Sequence, residues 1–120
     1  MKLEKLVEKF ATTLSSQTDA ILRGDSRAAQ RFGNQHIETF KKILRYGDVG
    51  REALVFLFRH PRPDVRVGAA ACLLRYRTVE ALAVLRPLAE GNGLSSLDAS
   101  MALKHWEEGT WSLDPADSDE

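Results

Sequence analysis

The 120-residue sequence predicts an all-α fold of about six helices, stacked as antiparallel hairpins. Three observations carry this. Apolar residues recur every three to four positions in segment after segment, the period of a helix with one buried face. Two stretches, Ile21-Leu22-Arg23-Gly24-Asp25 and Ile43-Leu44-Arg45-Tyr46-Gly47-Asp48, close a helix with the same chemistry: an apolar pair, a basic residue, then Gly and Asp. Repeated stops of this kind imply short turns between antiparallel helices. Finally, Pro61 and Pro63 break the chain, and Pro63-Asp64 then suits the first turn of a new helix. Proline has no N–H to lose there, and the carboxylate faces the positive end of the helix dipole.

The first helix is predicted over residues 2–22. Leu3, Leu6, Val7, Phe10, Leu14 and Ile21 form its stripe, with Lys2, Glu4, Lys5, Glu8 and Lys9 outside it. Gly24 supplies a left-handed stop and Asp25 an N-cap for a second helix over 26–46. Phe32, His36, Phe40, Ile43 and Leu44 line that helix, and Gly33 weakens it while permitting close packing. A third helix, 50–58, carries Ala53, Leu54, Leu57 and Phe58. The fourth follows Pro63, with Val65, Ala69, Leu73 and Tyr76 on one face and the small Ala69, Ala70 and Ala71 allowing a close neighbour.

Thr78 is expected to cap a fifth helix, with Glu80 in its first turn and Leu82, Leu85 and Leu88 as its stripe. Pro87 should bend or shorten its last turn. After Gly91 and Gly93, Ser95 and Asp98 have the spacing of a capping box, and Leu94 can staple onto Ala99. The sixth helix carries Ala99, Ala102, Leu103 and Trp106 and stops at Gly109. Trp111 and Leu113 are expected to fold back over the last hairpin. This gives one domain over 1–113 and an acidic flexible tail over 114–120.

The order Asp64-Val65-Arg66, Ala69-Ala70 and Leu73 resembles the D-V-R-x-x-A-A-x-x-L signature of HEAT and lyase-type HEAT-like repeats. Leu85 and Leu88 echo Leu54 and Leu57 some 31 residues on, without a second Asp-Val-Arg, as suits a terminal repeat. The opening amphipathic helix, the turn at Gly24, Arg51-x-Ala53-Leu54 and the closing Trp106-Glu107-Glu108-Gly109 resemble a small bacterial family of HEAT-like proteins, a domain of unknown function. The resemblance implies a HEAT/armadillo-like α–α superhelix with a right-handed drift. It also implies that Asp64 and Arg66 serve structure by linking repeats, and it loosely implies an adaptor or immunity-type role.

Composition excludes several classes. No apolar run approaches the ~20 residues of a membrane span. MKLEKLVEKF lacks the apolar core of a signal peptide, which points to the cytoplasm. Cys72, the lone cysteine, reads as a small buried apolar residue. Of the three histidines, His36 reads as a satisfied core residue. His60 lies beside Arg59 and Arg62, whose charges oppose a metal, and His105 has no identifiable acid partner. No nucleophile elbow, phosphate loop or dinucleotide fingerprint appears, and no carboxylate pair is marked out by an apolar setting. No catalytic residue, metal or cofactor is therefore expected.

Formal charge is zero but uneven. Residues 23–86 hold 13 Lys or Arg against 6 Asp or Glu, whereas residues 87–120 hold 1 against 8. Two functional readings follow. The first is a non-catalytic protein-binding module. Its expected concave side is formed by the second helix of each hairpin, which carries Arg31 and Gln35, then Arg62, Arg66 and Arg75, then Asp98 and Lys104. The alternative is nucleic-acid binding through Arg59, Arg62, Arg66, Arg75 and Arg77 with Arg27, Arg31, Lys41 and Lys42. The mixed charge favours an unidentified protein partner.

Overall fold

The computed structural model describes residues 2–109, so the segment expected to fold back and the acidic tail lie outside the described residues. Six α-helices and one 3₁₀ turn occur among these residues, and no strand. They are α1 (Leu3–Leu22), α2 (Ser26–Leu44), α3 (Asp48–Val55), the 3₁₀ turn Phe56–Arg59, α4 (Pro63–Leu73), α5 (Thr78–Ala89) and α6 (Leu94–Glu107). The chain divides into two compact units, Met1–Leu57 and Phe58–Glu120.

In the first unit α2 folds back along α1 through a three-residue turn, and α3 touches both helices. The turn has the predicted chemistry: Gly24 has φ +77°, and the Asp25 carboxylate accepts the Ala28 N–H at 3.0 Å. Leu6, Phe10, Ala20, Ala28, Phe40, Ile43, Leu54 and Leu57 are buried. Phe10 meets Phe40 edge-on, with ring centroids 6.2 Å apart. Two threonines are buried in the same unit. Thr13 donates to the Lys9 and Phe10 carbonyls, and Thr39 to the Gln35 carbonyl, so neither hydroxyl is left unpaired. Ile21 departs from its expected place. It is 47% exposed, because the stripe drifts around a 20-residue helix and Ala20 takes the inward position at its end.

Helix α3 starts two residues before the expected 50 and gives way to the 3₁₀ turn at Phe56. Gly47 (φ +65°) stands at its N-cap and Asp48 is its first residue. Gly50 faces the end of α2, and a methyl group there would collide with the Ile43 backbone carbonyl.

In the second unit α4, α5 and α6 pack mutually. Val67, Ala70, Ala71, Leu74, Ala81, Leu85, Ala99 and Ala102 form its core, with Phe58, Leu82, Leu88, Leu103 and Trp106 around them. Helix α4 has no polar side after its first turn: Val65, Ala69 and Leu73 are buried, as are Val67, Ala70 and Ala71 on its other sides. The face expected from Val65, Ala69 and Leu73 is thus one of two, as in a helix buried all round. Tyr76 lies in the turn that follows it.

Two caps differ from expectation. Thr78 is the first residue of α5, and its hydroxyl donates back to the Leu74 carbonyl at 2.6 Å. At α6 the N-cap is Gly93 (φ +98°) with no side-chain cap, so Ser95 and Asp98 make no capping box. The turn is held by Ser96, which is buried and donates to the carbonyls of Ala89 and Gly91. Pro87, expected to bend or shorten the last turn, lies inside α5, which runs two residues further. The helix closes with tighter three-residue bonds, the Glu90 N–H donating to the Pro87 carbonyl at 3.3 Å and the Gly91 N–H to the Leu88 carbonyl at 3.2 Å.

Candidate interaction surface

The side chains with chemical potential are distributed as follows. Cys72 is buried in α4, and desolvation pushes its thiol up to about 12, which leaves it an unreactive apolar filler. His36 sits in the core of the first unit, its ring 4.4 Å from that of Phe10. Burial lowers its pKa to about 4, so it is neutral at pH 7. Its buried Nδ1 has no hydrogen-bond partner among the described residues. His36 is therefore a core residue as expected, but not a satisfied one. No group of three or more His, Cys, Asp or Glu is placed to hold a metal among the described residues.

The expected contact residues fall in both units. Arg31 and Gln35 lie on α2, exposed. With Arg27, Gln30 and Asn34 they line a shallow hollow of about 390 Å³. The Arg31 guanidinium lies 5.2 Å from the centre of the Phe32 ring, which restrains it. The spacing of three and four residues extends the pattern: Arg27, Arg31, Asn34, Glu38, Lys42 and Arg45 make one exposed stripe along α2. Four cations against one carboxylate give it a positive field. The contact set expected from the sequence does not include Gln30 and Asn34, and Arg27 enters it only in the nucleic-acid alternative. The 27–31–34–38–42–45 spacing is the signal that joins Arg27 and Asn34 to Arg31, whereas Gln30 joins them only through the hollow.

Arg62 and Arg66 are tied into the turn ahead of α4. The Arg62 Nε and Nη2 donate to the two oxygens of Asp64, each at 3.0 Å, and the Arg62 N–H donates to His60 Nδ1. The Asp64 side chain, 9% exposed, also accepts the Val65 N–H at 2.9 Å. Arg66 donates to the His60 and Pro61 carbonyls at 2.8 and 3.3 Å. This network answers the desolvation of Asp64 with a bidentate partner and holds the two-proline turn in shape. It gives Asp64 and Arg66 a structural role within their own turn.

Arg75 is exposed in the turn after α4. Asp98 and Lys104 are exposed on α6, but six residues apart they point about 120° from each other around the helix. Partial burial raises the Asp98 carboxyl above its ordinary value. The structure therefore groups Arg31 with Gln35, and Arg62 with Arg66, but does not place Asp98 and Lys104 on one face. No helix among the described residues is long and apolar enough to cross a membrane.

Comparison with known proteins gives two matches. A family described as a domain of unknown function, DUF2019, matches residues 4–107. The crystal structure of the protein RPA1889 from Rhodopseudomonas palustris CGA009 is similar to this chain with a TM-score of 0.85 and 27% identity, covering 93% of each chain. No curated protein matches.

Proposed function

The chain belongs to the DUF2019 family, and from the geometry of α2 we propose that it is a non-catalytic protein-binding module whose contact surface is the outer stripe of that helix. The module is of the HEAT-like type, built of helical hairpins of a HEAT/armadillo-like superhelix. It works as a cytoplasmic bacterial adaptor or immunity-type protein that covers a protein partner. The six short-looped helices and the Pro63–Asp64 start of α4 support the architectural part.

The observation that carries the contact surface is the stripe from Arg27 to Arg45 with its neighbouring amides, all outside the core. Arginine, asparagine and glutamine together offer directional donors and acceptors, which give a protein interface register. The nucleic-acid alternative is less well supported. It needs Arg62 and Arg66, which are engaged in the turn before α4, and Glu38 stands within the α2 stripe, where a phosphate backbone would meet it.

The test is affinity isolation from cells of the source organism after nuclease treatment, followed by calorimetry with the recovered protein. Arg31→Glu combined with Gln35→Glu is expected to weaken that complex by roughly tenfold or more with an unchanged melting curve. Undiminished affinity in a folded variant would move the contact off α2. Recovery of nucleic acid alone from untreated lysate would favour the alternative.

A further inference from the structure

A second surface of the first unit is built differently. An apolar groove of about 390 Å³ opens where the start of α1 passes the end of α3, lined by Leu3, Val7, Ala53 and Phe56 with Lys2 and Glu4 at its rim. Leu3, Val7 and Ala53 are half-buried and form its floor. Phe56 is 81% exposed and stands at its edge. Val49, 66% exposed, lies two turns earlier on the same side of α3. Single exposed apolar residues are ordinary. Here a projecting aromatic ring and an apolar hollow occupy one face.

We propose that this face is where two copies of the chain meet, with Phe56 of each copy seated on Leu3, Val7 and Ala53 of the other across a two-fold axis. A two-fold contact requires one patch to carry both halves of the fit, and this patch does. Its rim is also self-complementary in charge. Lys2 and Glu4 contribute one charge of each sign, so the axis can set Lys2 of one copy against Glu4 of the other. The α2 stripe, with four cations to one acid, repels its own copy.

Area sets the strength. A seated phenylalanine buries about 150–200 Å². With Val49 and the floor, each copy supplies a few hundred Å², near or below the ~1,200 Å² total at which stable interfaces begin. The dimer is therefore weak and depends on concentration.

Analytical ultracentrifugation of the full chain from the micromolar to the millimolar range tests this. The wild type is expected to move from monomer to dimer within the range. Phe56→Ser is expected to raise the dissociation constant at least about tenfold without changing the melting temperature, since the ring is exposed. Lys2→Glu should weaken the dimer as well, and adding Glu4→Lys to it should restore the affinity. A monomer at every concentration overturns the proposal. So does a dimer indifferent to Phe56→Ser, which would place the contact elsewhere, and failure of the double variant to recover overturns the two-fold rim pairing.

Discussion

His36 is the residue whose charge the fold opposes most directly. In the unfolded chain its imidazole titrates at the ordinary value of 6.5, and in the folded chain at about 4. Between those values the unfolded state binds more protons, so stability is complete above pH 6.5 and is lost as pH falls toward 4. At 1.36 kcal/mol per unit the loss reaches about 3 kcal/mol. Urea unfolding at pH 7, 5.5 and 4.5 should show this slope in the wild type, and His36→Phe should flatten it. Equal slopes in the two proteins would mean that the ring is already hydrated in the folded state.

Two glycines make a second comparison at the same scale. Gly50→Ala would push a methyl group into the Ile43 carbonyl, which is backbone and cannot step aside, so a loss of about 1–3 kcal/mol is expected. Gly33→Ala meets only the Gln17 side-chain amide, a flexible group, and gains helix propensity of up to about 1 kcal/mol. Its melting temperature should stay near the wild-type value. A similar fall for both variants would show that α1 and α2 are as tightly opposed at Gly33 as α2 and α3 are at Gly50.

At the scale of the element, α4 gives the sharpest expectation. A helix with one buried face tolerates a carboxylate on its other side, and α4 has no such side beyond its first turn. Val65 and Val67 point about 160° apart and are both buried, so Val65→Asp and Val67→Asp should each cost several kcal/mol in chemical denaturation. A mild effect at either position would restore an exposed side to the helix.

Helix positions were readable in the sequence because local chemistry sets them: Asp25 caps α2, and Pro63 with Asp64 starts α4. What was not readable depends on tertiary neighbours. The burial of Ser96 between two carbonyls, the collision that keeps Gly50 a glycine, and the second buried face of α4 leave no periodic trace. The contact candidates divided in the same way. The α2 stripe follows from spacing alone. The resemblance gives Arg66 a structural role between repeats. Its actual partners, the His60 and Pro61 carbonyls, and the Arg62 pairing with Asp64 depend on how the two-proline turn folds and cannot be read from spacing.

At the scale of the whole molecule, charge decides what the chain can attract at a distance. The sequence has 17 basic and 17 acidic residues. The first unit holds ten Lys or Arg against seven Asp or Glu, and the second holds seven against ten. A net charge of zero gives a polyanion no long-range steering, and local contacts must supply whatever affinity exists. If the four cations of the α2 stripe did grip a duplex, each neutralised phosphate would release counterions, and log K would fall against log salt with a slope of about −3 to −4. The expected result with a fluorescently labelled duplex at physiological salt is binding no tighter than roughly 10⁻⁶ M, the non-specific range. Tighter binding with that slope, abolished by Arg31→Glu, would establish the stripe as a phosphate site and displace the protein-binding reading. Weak binding that Arg31→Glu leaves unchanged would keep those arginines for a partner whose carboxylates and amides they can meet one by one.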